Sequence, residues 1–136
     1  MALVELEVPP RSVYVGVVRL AVSALGRSLE LDEDAIEDLK MAVSEACANA
    51  VIAHEEAGLQ NHVKIAWKDN EGRIEIEVIS SGEPPVDGGT DALTSTGSLA
   101  SRDVLSLALL KSLVDECIVE KLPEGGSITR LVVSSN

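Results

Sequence analysis

The chain of 136 residues has no phenylalanine, one tryptophan and one tyrosine. Aromatic side chains bury the largest areas, so Ala, Val, Leu and Ile must fill the core in their place. Basic residues are also few: 11 Lys and Arg stand against 23 Asp and Glu, a net charge of -12. That balance argues against a nucleic-acid backbone as partner, because such affinity comes from Lys and Arg. It leaves room for a nucleotide, which backbone N–H groups and a metal can hold. Acidity suits basic protein partners and equally suits a merely solvated surface. There are only two cysteines, Cys47 and Cys117, and no signal-like start. They read as buried thiols of a reducing compartment. No apolar run approaches the ~18 residues that span a bilayer. The expected location is cytoplasmic.

What is present centres on Leu39–Val51, an Ala-rich run without Gly or Pro that favours helix. Glu45 and Asn49 sit in its apolar middle, four apart and therefore on one face. Burying a carboxylate and a carboxamide unpaired is costly. Either the fold satisfies them or a ligand does.

Around this run the elements follow in order. Residues 2–8 alternate apolar and acidic and predict a half-buried strand, ended by Pro9-Pro10. Residues 11–28 predict an amphipathic helix, slightly weakened by Gly16. Asp34 with Glu37 resembles a capping box for the central helix. Ile36, Leu39, Val43, Ala46 and Ala50 form its inward stripe, and Gly58 is its C-cap. His54 reads as a C-terminal residue of that helix, placed to meet exposed carbonyls. Val63–Lys68 and Ile74–Val78 alternate about the turn Asp69-Asn70-Glu71-Gly72, which predicts a hairpin with Lys–Glu pairs on its outer face. Residues 80–101 are rich in Gly, Pro, Ser and Thr without periodicity, as a lid loop or a disordered insertion would be. Arg102–Val114 predicts a helix with Val104, Leu105, Ala108, Leu109 and Leu113 on one side. Two strands close the chain, with Cys117 and Val119 facing in on the first and Ile128–Val133 as the second. The order β-α-α-β-β-loop-α-β-β predicts a single α+β domain over residues 1–136: a two-layer sandwich, helices on one face of a mixed, mostly antiparallel sheet.

Val43-Ser44-Glu45-Ala46-Cys47-Ala48-Asn49-Ala50-Val51 resembles the N-box of the RsbW-like and SpoIIAB-like anti-sigma factor serine kinases of bacteria, within the histidine-kinase-like ATPase superfamily. Element order, length and the closing helix-strand-strand extend the resemblance over nearly the whole chain. It implies that Glu45 is the general base and that Asn49 is the Mg²⁺ ligand beside the ATP phosphates. An amide oxygen suits Mg²⁺ there, and a carboxylate near a Ser hydroxyl can take its proton during phosphoryl transfer. It also implies nucleotide contacts at Ser80, Gly82 and Ser127, with Thr129 on the same strand face as Ser127. The implied partners are a sigma factor, an anti-anti-sigma protein of the STAS type carrying the substrate serine, and a second copy in a homodimer. The implied setting is transcription regulation in the stress response.

The chain departs from the pattern at two motifs. Ser80 stands where the family has the Asp that reads the adenine amino group, and Pro84 replaces a Gly. No Gly lies between Gly97 and Gly125, so the phosphate-cradling glycines before the late helix are missing, and Ser106 stands where one is expected. Arg102 has the reach for a phosphate, but a surface ion pair with Asp103 or nearby acids is the favoured reading. These departures motivate a second reading: a catalytically inactive protein-binding module on the same fold.

Overall fold

The computed structural model describes residues 4–80, 105–123 and 125–134. β1 (Val4–Val8) stops at Pro9, and a 3-10 turn over Ser12–Tyr14 leads into α1 (Val15–Ser28). α2 (Glu33–Ala57) is the longest element. β2 (Val63–Asn70) and β3 (Arg73–Ser80) form the expected hairpin. Its turn is tighter than the sequence implies, since Asn70 pairs directly with Arg73. Glu71 and Gly72 make the turn at φ 52° and 86°, the two positive φ values of a type I′ turn. The described part of α3 covers residues 105–113, followed by β4 (Glu116–Lys121) and β5 (Ser127–Ser134).

The sheet runs β1-β2-β3-β5-β4. Every ladder among the described residues is antiparallel, the limiting case of the mostly antiparallel sheet expected. β5 enters between β3 and the edge strand β4, which brings Ser80 opposite Ser127 and Val119 opposite Thr129. This places polar side chains of three strands at one end of the sheet.

α2 lies on this sheet by the stripe read from sequence: Ile36, Leu39, Val43, Ala46 and Ala50 are all buried. They meet Trp67, Ile74, Ile76 and Leu131 in one aliphatic core with a single large aromatic. Gly26 lets α1 approach α2 closely, for a Cβ there would stand 2.9 Å from Ile36 Cγ1.

The helix starts two residues earlier than the capping-box reading placed it. Asp32 is the N-cap, its carboxylate accepting from the backbone N–H of Asp34 (2.8 Å) and Ala35 (3.2 Å). Asp34 is left in the first turn, where its charge suits the helix dipole, and Glu37 pairs with Lys40 instead. Gly58 closes the helix at φ 68°. Leu59 N–H bonds to His54 C=O and Gly58 N–H to Glu55 C=O, a Schellman cap.

α3 corrects another expectation. Leu105, Ala108 and Leu109 face solvent, while Ser106, Leu110 and Val114 are buried. In so leucine-rich a helix several apolar faces compete, and periodicity alone chose one rotated from the true face. Val104 lies outside the described residues. On β4, Cys117 is buried as expected, but Val119 is 49% exposed: it lies on the inward face where the layers part.

The opposite face of the sheet is charged. Arg130 bonds Glu77 (2.9 Å) and Glu120 (2.7 Å), and Lys68 pairs with Glu77 (3.1 Å). Burial alone would raise the Glu77 carboxyl, but its bonds to Arg130 and Lys68 outweigh that and hold it below the ordinary carboxylate range. Among the described residues no helix is long and apolar enough to cross a membrane.

Candidate functional site

Glu45 and Asn49 project from α2 toward the first described turn of α3, and Ser106 answers both. Its hydroxyl donates to Glu45 Oε2 at 2.8 Å and accepts from Asn49 Nδ2 at 2.6 Å. The polarity of this chain is fixed by its end. A carboxylate only accepts, so Ser106 must spend its proton on Glu45 and can only accept from Asn49. Asn49 therefore turns its Nδ2 to Ser106, and its Oδ1 remains as an oxygen donor for another partner.

Asn49 and Ser106 line a cavity of about 240 Å³ between α2, α3 and the sheet. Ala46, Ala50 and Ala53 of α2 form one wall, and their short side chains leave the space between helix and sheet unfilled there. Val78, Leu107, Leu110 and Val119 supply apolar surface. Ser80, Ser127 and Thr129 from β3 and β5 bring hydroxyls, and Lys121 of β4 brings a cation. Apolar walls with a few converging polar groups are the usual make-up of a small-ligand site.

His54 ties the far end of the site together. It is wholly buried, with Nδ1 2.9 Å from the Asn61 carbonyl and Nε2 2.9 Å from Ser80 Oγ. The carbonyl it meets is that of Asn61, beyond the end of α2, and not one of the helix's own exposed carbonyls as expected, and its second partner is a serine. A wider groove of about 610 Å³ lies at the C-terminal end of α2, lined by Pro9, Pro10, Arg11, Glu55 and His62 among others. None of Glu45, Asn49, Ser80 and Ser127 borders it.

Of the residues singled out from sequence, Asn49, Ser80 and Ser127 thus line one cavity, joined by Thr129. Glu45 reaches it through one hydrogen bond to Ser106. Gly82, Arg102 and all of the proposed lid beyond Ser80 lie outside the described residues. Sequence reasoning did not select Ser106, His54 or Lys121. The signal for Ser106 was present, since a hydroxyl stands where a glycine was expected beside two polar residues. His54 follows Asn49 by five residues, not four, a turn of about 100° past its face. That offset points it at the strand end instead of at Glu45 and Asn49. Cys47 lies on the same helix, but burial pushes its thiol up to about 12, so it is no thiolate nucleophile at neutral pH.

A helical layer lies over an antiparallel sheet, and between them a cavity is walled on one side by Asn49 and the alanines of α2, the layout of a two-layer α+β domain with an internal site. The profile of the histidine kinase-like ATPase domain matches residues 8–133. The serine-protein kinase RsbW of Bacillus subtilis is 34% identical over 123 residues, covering 86% of this chain and 77% of that protein. RsbW of Halalkalibacterium halodurans is 36% identical over 132 residues, 92% of this chain and 78% of that one. Among solved structures, the RsbU and RsbW domains of Rv1364c from Mycobacterium tuberculosis superpose with a TM-score of 0.72 at 18% identity, over 96% of this chain and 32% of that one. The SiaB–SiaC complex from Pseudomonas aeruginosa gives 0.66 at 15% identity, over 97% and 91%. The chain belongs to the histidine kinase-like ATPase family and, within it, to the RsbW-like anti-sigma kinases.

Proposed function

We propose that this chain is an ATP-dependent anti-sigma serine kinase that phosphorylates a serine on a STAS-type anti-anti-sigma partner. The Glu45–Ser106–Asn49 chain carries this reading. It shows the Glu45 carboxylate already accepting a bond from a serine hydroxyl, 2.8 Å away, the contact a general base makes with its substrate serine. When a partner serine takes the place of Ser106, Glu45 receives its proton.

The cavity supplies what a nucleotide base needs: apolar walls, with the hydroxyls of Ser80 and Ser127 and the Lys121 cation together at one end. Asn49 Oδ1 is the oxygen that would ligate Mg²⁺, an ion that takes few protein ligands beside substrate phosphates. Bound ATP–Mg²⁺ supplies the phosphoryl group and neutralises the charge that develops on it. Ser80 and Ser127 face the base, and Gly82 belongs to the adjoining segment. The sigma factor is held on the helical face, where Val13, Val17, Leu20 and Met41 expose apolar surface. A second copy would compete for or extend the same face.

Asn49→Ala is expected to abolish nucleotide binding while leaving the far-ultraviolet circular dichroism unchanged. Equal ATP affinity of variant and parent by calorimetry would sink the assignment. A second reading, the inactive protein-binding module, draws on Ser106, whose side chain fills the place of a phosphate-cradling glycine. It predicts no heat and no thermal shift with millimolar ATP–Mg²⁺, yet tight association with a protein partner.

A further inference from the structure

With a neutral imidazole, geometry fixes the polarity of the His54–Ser80 pair. The Asn61 carbonyl has no proton to give, so the 2.9 Å contact requires His54 Nδ1 to carry the hydrogen. In the neutral ring Nε2 is then bare and can only accept. The Ser80 hydroxyl, 2.9 Å away, must donate to it. Ser80 is itself 5% exposed and borders the cavity. With its one proton committed to His54, it offers the cavity lone pairs alone. A serine free to rotate would donate or accept at will, and this one is held as an acceptor.

We infer that His54 is the positioning residue for base selection: by taking the Ser80 proton it makes the site specific for a purine bearing an amino group at C6. This rests on the reading of the cavity as a nucleotide site. A 6-amino group donates to Ser80. A 6-oxo group meets lone pair with lone pair, leaving a buried acceptor unsatisfied, and a 6-unsubstituted purine forgoes the bond without repulsion. The pair does by a relay what a carboxylate does by charge, which explains how a serine serves at this position.

The test uses the full chain and calorimetric titration, in MgCl₂, with ATP, inosine triphosphate and purine riboside triphosphate. ATP is expected to bind roughly tenfold tighter than the unsubstituted purine, the factor of one net hydrogen bond, with the inosine nucleotide weakest. Ser80→Ala should bring ATP down to the affinity of the unsubstituted purine and leave the latter unchanged. His54→Phe, which keeps a planar ring but has no atom to accept the Ser80 proton, should erase the preference of ATP over inosine triphosphate. A structural role for His54 would weaken all three nucleotides alike, and that result overturns the inference. Should His54→Phe not fold, the parent's preference for ATP over inosine triphosphate and its loss in Ser80→Ala decide, because a Ser80 hydroxyl free of His54 would serve both bases alike; a parent that binds the two equally overturns the inference. Binding of all three nucleotides with equal affinity by the parent chain overturns base selection while the nucleotide site stands. Binding of none of them overturns both.

Discussion

At the residue scale, the chemistry of α2 is decided by which polar groups find partners. Glu45 and Asn49 raised a question of unpaired polar groups, and a serine from 57 and 61 residues away answers it. Two substitutions separate the structural from the chemical role of that bond. Glu45→Gln keeps the size and a hydrogen-bonding oxygen but removes the base, so phosphotransfer to the partner serine should fall by roughly 10²–10⁴-fold with nucleotide affinity retained. Ser106→Ala removes only the internal stand-in and should leave phosphotransfer measurable. A loss as deep as that of Glu45→Gln would mean that Ser106 takes part in the reaction. Cys47 gives a check of another kind. A thiol raised to about 12 and 1% exposed should resist alkylation at pH 8 in the native chain and react fully in denaturant. Cys117, also raised by burial but offset by the nearby Lys111 cation, should react first if either does.

At the element scale, helices were legible where one stripe was apolar and ambiguous where several were. α2 alternates apolar and charged residues cleanly, so its stripe was readable. α3 offers leucines on most faces, and only the demand of Ser106 for Glu45 and Asn49, a contact between distant segments, selects among them. Caps show the same limit. Gly58 announces a left-handed residue, whereas Asp32, Asp34 and Glu33 all suit a helix start, and only the backbone conformation picks Asp32. Asp32→Ala should cost about 1 kcal/mol in urea denaturation, and Asp34→Ala distinctly less. The close approach of α1 and α2 was invisible in sequence, because a buried glycine in a helix carries no pattern. Gly26→Ala should gain up to about 1 kcal/mol of helix propensity but force Ile36 aside. Overpacking costs about 1–3 kcal/mol. The β-branched Ile36 would be met most closely at Cγ1 (2.9 Å), near its branch point, and also at its tip Cδ1 (3.4 Å), so it has little freedom to yield. The net expectation is a loss of stability, seen as a lower urea midpoint with an unchanged slope; an unchanged or higher midpoint would show that the helices can part.

At the scale of the whole molecule, fold class and element order were readable because each element declares its period and its ends. The site was half readable, because its other half depends on β5 entering between β3 and β4. That topology sets Ser80 beside Ser127 and leaves an acidic chain with a sheet face on which Arg130 and Lys68 meet Glu75, Glu77 and Glu120. A chain of net charge -12 is strained by its own repulsion at neutral pH, so acid relieves one cost while it removes another support. Glu77 separates the two. Its folded-state carboxyl lies below the ordinary range, so its contribution is present above the unfolded value of about 4.3 and is lost as pH falls through the lower folded value. Repulsion among exposed carboxylates eases in the same window and acts in the opposite direction. Comparing Glu77→Gln with the parent cancels the common repulsion, since both carry almost the same charge. The stability difference between them should be large at pH 7 and shrink steadily below pH of about 4. High salt should reduce it only in part, because Glu77 is itself buried while its partners Lys68 and Arg130 are half-buried. A difference that stays constant as pH falls would place the value of Glu77 in its packing and not in its charge.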